Sequence, residues 1–195
     1  MYEKSITKEE LQDLPLLKYE GKIKLIETQS EIQRAIDHCM EHDLVGFDTE
    51  TKPTFKKGQY HAVALVQLAI KDVVYLIRLS KTGFEEHLVR LFEDSNTVKV
   101  GIGLRDDIRD LQKIKNFHPD GFLDLNEFAE NFGMESIGAR KLSGIFLNGR
   151  ISKSQQVSNW ENLKLTHAQM IYAATDAWIC LHIYEKMLVW KQNHS

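Results

Sequence analysis

The chain has 195 residues, with 25 Lys and Arg against 28 Asp and Glu, a net charge of −3 and 43% apolar side chains. That length suits one domain with a sizeable core, and the composition excludes a disordered chain, a collagen-like repeat and a disulfide-stapled miniprotein. The charge also excludes a protein that coats nucleic acid by bulk positive electrostatics. A polyanionic ligand would need a local basic lip or a bound cation.

The first 20 residues read as an arm with one short helix, opened by a capping box from Thr7 to Glu10. Residues 21–195 read as a single domain. Gly21 to Thr28 alternates as a strand does. Ser30 with Gln33 predicts a helix running to about Glu41. Leu44 to Glu50 is a second strand, followed by a polar loop over 51–61 that carries Lys52, Lys56 and Lys57. Ala62 to Ile70 and Val73 to Arg78 are apolar runs around Lys71-Asp72, the pattern of a hairpin. Gly83 to Glu93 suits a helix, and Val98 to Ile102 a short buried strand. Helices are expected from Asp106 to Lys115, Leu125 to Phe132 and 138–147. Thr166 with Gln169 caps a last helix running to about Lys191. This order predicts an α/β fold with a mixed central sheet flanked by helices.

The start, MYEKSITKEE, has no apolar segment of the secretory kind. No run of ~18 apolar residues spans a membrane. Cys39 and Cys180 sit in apolar helical patterns and read as reduced core thiols. The expectation is a cytoplasmic protein.

Most charged residues read as solvated surface, but four acids resist that reading. Asp48 and Glu50 end the second strand, and a spacing of two puts both carboxylates on one face. Like charges so close repel unless a cation or proton lies between them; the alternative is a strand end running into solvent. Asp176 is the only Asp, Glu, Lys or Arg between Lys164 and Glu185. A carboxylate in so apolar a helix must be paired, protonated or metal-bound. Tyr172 lies one turn earlier on the same face, so a Tyr–Asp hydrogen bond within the core is the rival reading. Asp107 follows Gly101 and Gly103 near a helix start, where an acid also favours the helix dipole. Together the four offer hard oxygen ligands of the kind Mg²⁺ or Mn²⁺ takes.

Other chemistries find no support. His38 and His42 are spaced four apart but lack the Glu of a zinc-protease helix, and read as a solvated pair. Gly101-x-Gly103 lacks the rest of a phosphate-binding loop, and no G-x-S-x-G elbow occurs.

At Phe47-Asp48-Thr49-Glu50, Gly101-Ile102-Gly103-Leu104-Arg105-Asp106-Asp107 and Tyr172-Ala173-Ala174-Thr175-Asp176 the chain resembles the three exonuclease motifs of the DEDD superfamily. The Tyr-x-x-x-Asp form is that of the tyrosine subgroup, which includes ribonuclease D and the Werner-helicase exonuclease domain. Val63 to Leu68 is similar to the strand after the first motif. Lys153-Ser154-Gln155-Gln156-Val157-Ser158-Asn159-Trp160, with Leu165-Thr166, is similar to the segment before the third. The resemblance runs from about Gly21 to Trp190.

The resemblance implies a ribonuclease H-like fold and a metal-dependent 3′→5′ exonuclease acting on single-stranded or 3′-ended DNA or RNA. The products would be nucleoside 5′-monophosphates. Asp48, Glu50, Asp107 and Asp176 would hold two divalent ions, Mg²⁺ or Mn²⁺. Asp107 is chosen over Asp106 because it lies six residues after Gly101, as the motif requires. Tyr172 would orient the attacking water. Thr49, Lys153 and Trp160 are the expected substrate contacts, although an indole in that turn also suits core packing. Lys52, Lys56, Lys57 and Arg150 are further places for a phosphate backbone to run. Ribonuclease D carries helical nucleic-acid-binding domains after its exonuclease domain, and this chain ends soon after its last helix. Substrate grip would then be weak or come from a protein partner. The rival readings are a non-catalytic nucleic-acid-binding module on the same fold and a metal phosphohydrolase of small nucleotides.

Overall fold

In the computed structural model, residues 3–56, 58–135 and 137–192 are described. Six strands form one sheet in the order β1-β4-β3-β2-β5-β6. β1 (Lys22–Ile26) pairs parallel with β4 (Val73–Arg78), and β4 pairs antiparallel with β3 (Val63–Ile70). β3 runs antiparallel to β2 (Leu44–Thr51), which pairs parallel with β5 (Val98–Gly101), itself parallel to β6 (Phe122–Asp124).

Helices cover both faces. That is why β3 and β4 are buried at every position and read as unbroken apolar runs. On one face lie α2 (Gln29–Met40), α4 (Glu86–Phe92) and α5 (Leu104–Ile114), packed through Ile32, Ile36, Leu88, Phe92 and Leu111. On the other lie α6 (Leu125–Glu130), α7 (Ala139–Leu147) and α8 (His167–Gln192), packed through Leu125, Leu142, Phe146, Ala173, Ala177 and Ile183. The short helix α3 (Leu79–Thr82) follows β4 directly. α8 is 26 residues long; its small residues let it lie close on the sheet.

The arm carries α1 (Lys8–Asp13), opened by the expected Thr7–Glu10 capping box. It is laced to the domain. The amide of Arg150 donates to the Pro15 carbonyl at 2.9 Å, and Leu17 donates back to Arg150 at 2.8 Å.

Three local expectations need correction. α2 begins at Gln29 because the capping box is Thr28 with Glu31, two residues before the Ser30 pattern. The region 83–93 holds only α4, since Gly83 adopts φ +74° and ends α3. β6 was not anticipated, and its three residues are all half-buried at the sheet edge.

Candidate active site

The sheet face under α8 brings Asp48, Glu50 and Asp176 together. Asp48 and Glu50 both point to this face, because Val45 and Phe47 between them fill the opposite core. β2 bulges between Glu50 and Thr51, so its ladder ends beside the pair. α8 crosses β2 at Gly46, where a Cβ would stand 2.1 Å from the Ala177 carbonyl oxygen. That close approach carries Asp176 next to Asp48. Asp48, Glu50 and Asp176 each place a carboxylate oxygen within 4.8 Å of the other two.

Asp107 comes from the first turn of α5. Its Oδ1 accepts from the Thr49 hydroxyl, the residue between Asp48 and Glu50. The turn that aims it is built by Gly103, at φ +78°, a conformation that suits glycine. Asp124 fixes that turn. Its carboxylate accepts from Gly103 N at 3.1 Å, Leu104 N at 2.8 Å and Asn126 N at 2.9 Å. So one side chain caps α5 and α6 together. The sequence reading missed this role, for which the only signal was an Asp directly before the predicted helix at Leu125.

The electrostatics are those of acids crowded without a counter-charge. None of the four pairs with a Lys or Arg among the described residues. Burial, then repulsion from Asp176, Asp107 and Glu50, pushes Asp48 well above the usual carboxylate range. Burial and the charges of Asp176 and Asp107 push Glu50 up to about 9. Burial raises Asp176 to about 7 against the opposing hydrogen bond from Tyr172. Asp107 rises to about 6, chiefly by burial, with the Thr49 hydroxyl pulling the other way. The Tyr172 phenol is raised by burial and by the charges of Asp176, Glu50 and Asp48. It stays protonated at neutral pH and acts as a donor. Such a set of hard, mutually repelling oxygens fits a divalent cation.

The expected substrate contacts separate. Lys153 is exposed and lines a cleft of about 410 Å³ that opens on Asp48, Tyr172 and Asp176. A second cleft of about 890 Å³, between the arm and the start of α8, also reaches Tyr172 and Asp176. Thr49 serves Asp107 through its hydroxyl. Trp160 corrects the expectation of a substrate contact: it is 0% exposed, packed in the core with its ring 6.1 Å from that of Tyr172. Lys52 is bonded to Glu161 at 3.1 Å. Arg150 turns inward and donates through Nε to the Leu14 carbonyl at 3.0 Å. Lys56 is exposed, and Lys57 lies outside the described residues.

Comparison with known proteins agrees with this arrangement. Residues 23–189 match a family model described as a 3′-5′ exonuclease. The chain belongs to the 3′-5′ exonuclease family. It is 30% identical over 194 residues to the mouse "Bifunctional 3'-5' exonuclease/ATP-dependent helicase WRN", covering 93% of this chain and 14% of that protein. It is 30% identical over 197 residues to an Arabidopsis thaliana "3'-5' exonuclease", covering 89% of this chain and 66% of that one. The chain thus spans less than two thirds of the length of these relatives. In fold it is similar to the Aedes aegypti Nibbler EXO domain, with a TM-score of 0.82 at 24% identity over 92% of this chain and 94% of that one. Escherichia coli RNase D superposes with a TM-score of 0.80 at 21% identity, covering 88% of this chain and 46% of that one. These likenesses establish a ribonuclease H-like fold. Among the described residues, no helix is long and apolar enough to cross a membrane.

Proposed function

We propose that this chain is a metal-dependent 3′→5′ exonuclease that hydrolyses the terminal phosphodiester of a DNA or RNA strand and releases nucleoside 5′-monophosphates. The observation that carries the proposal is the convergence of Asp48, Glu50 and Asp176 within 4.8 Å, with no ion pair to a Lys or Arg among the described residues. Asp48, Glu50, Asp107 and Asp176 are the residues that would hold two Mg²⁺ or Mn²⁺ ions. When bound, such ions favour deprotonation of the attacking water and offset charge on the leaving 3′-oxygen.

The chain's own residues do the rest. Glu50 and Tyr172 flank the place where water attacks. The protonated Tyr172 phenol, held by Asp176, orients that water. Thr49 holds Asp107, and Asp124 holds the helix that carries it. The two clefts that reach Tyr172 and Asp176 are the paths by which a single strand would enter.

The test uses 5′-labelled DNA and RNA of one sequence with Mg²⁺, Mn²⁺ or EDTA, read on a sequencing gel. A ladder that shortens from the 3′ end, absent in EDTA and with Asp176→Asn, is the expected result. Folded protein that binds strands without shortening them would leave the binding-module reading. Cleavage of dinucleotides alone would leave the small-nucleotide phosphohydrolase.

A further inference from the structure

The cleft beside Asp48 and Asp176 is lined by four cationic side chains as well as by these acids, among apolar residues such as Leu11 and Ile151. Lys8, Arg140, Lys141 and Lys153 all line it and are all exposed. None of them forms an ion pair among the described residues. They come from three separate parts of the chain: α1, the first turn of α7, and the segment between α7 and α8.

Two features show that this wall is built. First, α7 carries Arg140 and Lys141 in its first turn and no acidic residue there. Cations at the positive end of a helix dipole are locally unfavourable, so α7 itself gains nothing from them. Second, α1 is held firmly against α7. Leu11 is 4% exposed, and a Cβ on Gly144 would come within 2.5 Å of its Cδ2. The Glu135 amide donates to the Lys4 carbonyl at 2.9 Å before the helix. After it, the Arg150 side chain and main chain grip Leu14 and Pro15. Lys8 is therefore held on a fixed platform. The family match begins at residue 23, after α1.

We propose that α1 and the start of α7 form a cationic wall that binds the phosphodiester backbone of a single nucleic-acid strand, with Lys8, Arg140 and Lys141 each facing a phosphate. The occupant follows from charge complementarity and from continuity with Asp48 and Asp176, which line the same cleft. This rests on the exonuclease reading for the strand's direction, though the wall's binding is measured independently of cleavage. The arm is then part of the substrate grip, supplied from within the chain.

The experiment measures anisotropy of 5′-fluorescein-labelled oligothymidylate and oligouridylate with full-length protein in Ca²⁺, across a salt series. The variants are Lys8→Glu and the pair Arg140→Glu with Lys141→Glu. The controls are Lys22→Glu alone, which matches the charge change of Lys8→Glu, and Lys22→Glu with Lys71→Glu, which matches that of the α7 pair, both at the edge of the sheet where β1 meets β4. Thermal melting checks that each variant folds. The slope of log K against log salt should fall by about 0.7 for Lys8→Glu and about 1.4 for the α7 pair, the value for one phosphate per cation on a single strand. Affinity should weaken about tenfold for the α7 pair, and the controls should match wild type.

Variants that bind like the controls would overturn the wall, and so would a wild type that binds neither strand. A gel assay with Mg²⁺ runs in parallel to separate the two readings. Wild type that shortens strands while the variants bind normally removes the wall and keeps the exonuclease. Slopes that fall as stated with no shortening by wild type keep the wall and remove the exonuclease.

Discussion

Gly46 of β2 lies directly against the Ala177 carbonyl of α8, so closely that a Cβ would stand 2.1 Å from that oxygen. The contact sets the distance between helix and sheet where two of the acids meet, since Asp176 precedes Ala177 and Asp48 lies two residues beyond Gly46. Gly46→Ala must push α8 outward. The overpacking should cost about 1–3 kcal/mol, lowering Tm by about 2–4 °C per kcal/mol in a chain of this size. Divalent-metal affinity should fall with it, measured by titration at a temperature where the variant is folded. An unchanged affinity would show that this contact does not set the carboxylate spacing.

Thr49 couples β2 to α5 by donating to Asp107. Thr49→Val keeps the shape and removes the donor. The expected result is an activity loss of about 10–100-fold, typical for removing an outer partner of a metal ligand, with unchanged melting. Thr49→Ser should recover most of the activity.

Tyr172 is bonded to Asp176 and holds its proton through neutral pH. Tyr172→Phe should lower the single-turnover rate by about 10²-fold and leave Mn²⁺ affinity nearly unchanged. A rate equal to wild type would remove Tyr172 from the account.

The raised carboxylates make a pH prediction for the metal-free protein. Their folded values exceed the usual ones, with Asp107 at about 6, Asp176 about 7 and Glu50 about 9. Such groups favour the folded state below their unfolded pKa values, and that contribution is lost as pH rises through the folded values. In EDTA, Tm should therefore fall between about pH 5 and 9. Adding Mn²⁺ at pH 8 should restore it, and Asp48→Asn should flatten the fall. A metal-free Tm that does not decline over this range would contradict the crowded-acid picture.

Much of this arrangement was legible in the residues because each signal is local. A spacing of two on a strand puts Asp48 and Glu50 on one face, and a spacing of four on a helix aligns Tyr172 with Asp176. An isolated acid in an apolar helix marks Asp176 by itself. What stayed hidden depends on tertiary approach. β6 is three residues long, too short for alternation to show, and exists because β5 offers it an edge. Asp124 caps two helices at once only because β6 ends beside the start of α5. α2 had two overlapping capping patterns, Thr28 with Glu31 and Ser30 with Gln33, and the chain uses the earlier. Lys52 and Arg150 have the charge a phosphate contact needs. Only their partners, Glu161 and the Leu14 carbonyl, show that they serve the fold.

The central claim is that Asp48, Glu50, Asp107 and Asp176 form one divalent-metal centre. Titrating metal-free protein with Mn²⁺ at pH 8, with free ion counted by electron paramagnetic resonance, tests it most directly. The account predicts two ions bound per chain, with both sites weakened in Asp48→Asn while the variant stays folded. Folded wild type that binds no Mn²⁺, or binds it equally well in Asp48→Asn, would contradict it.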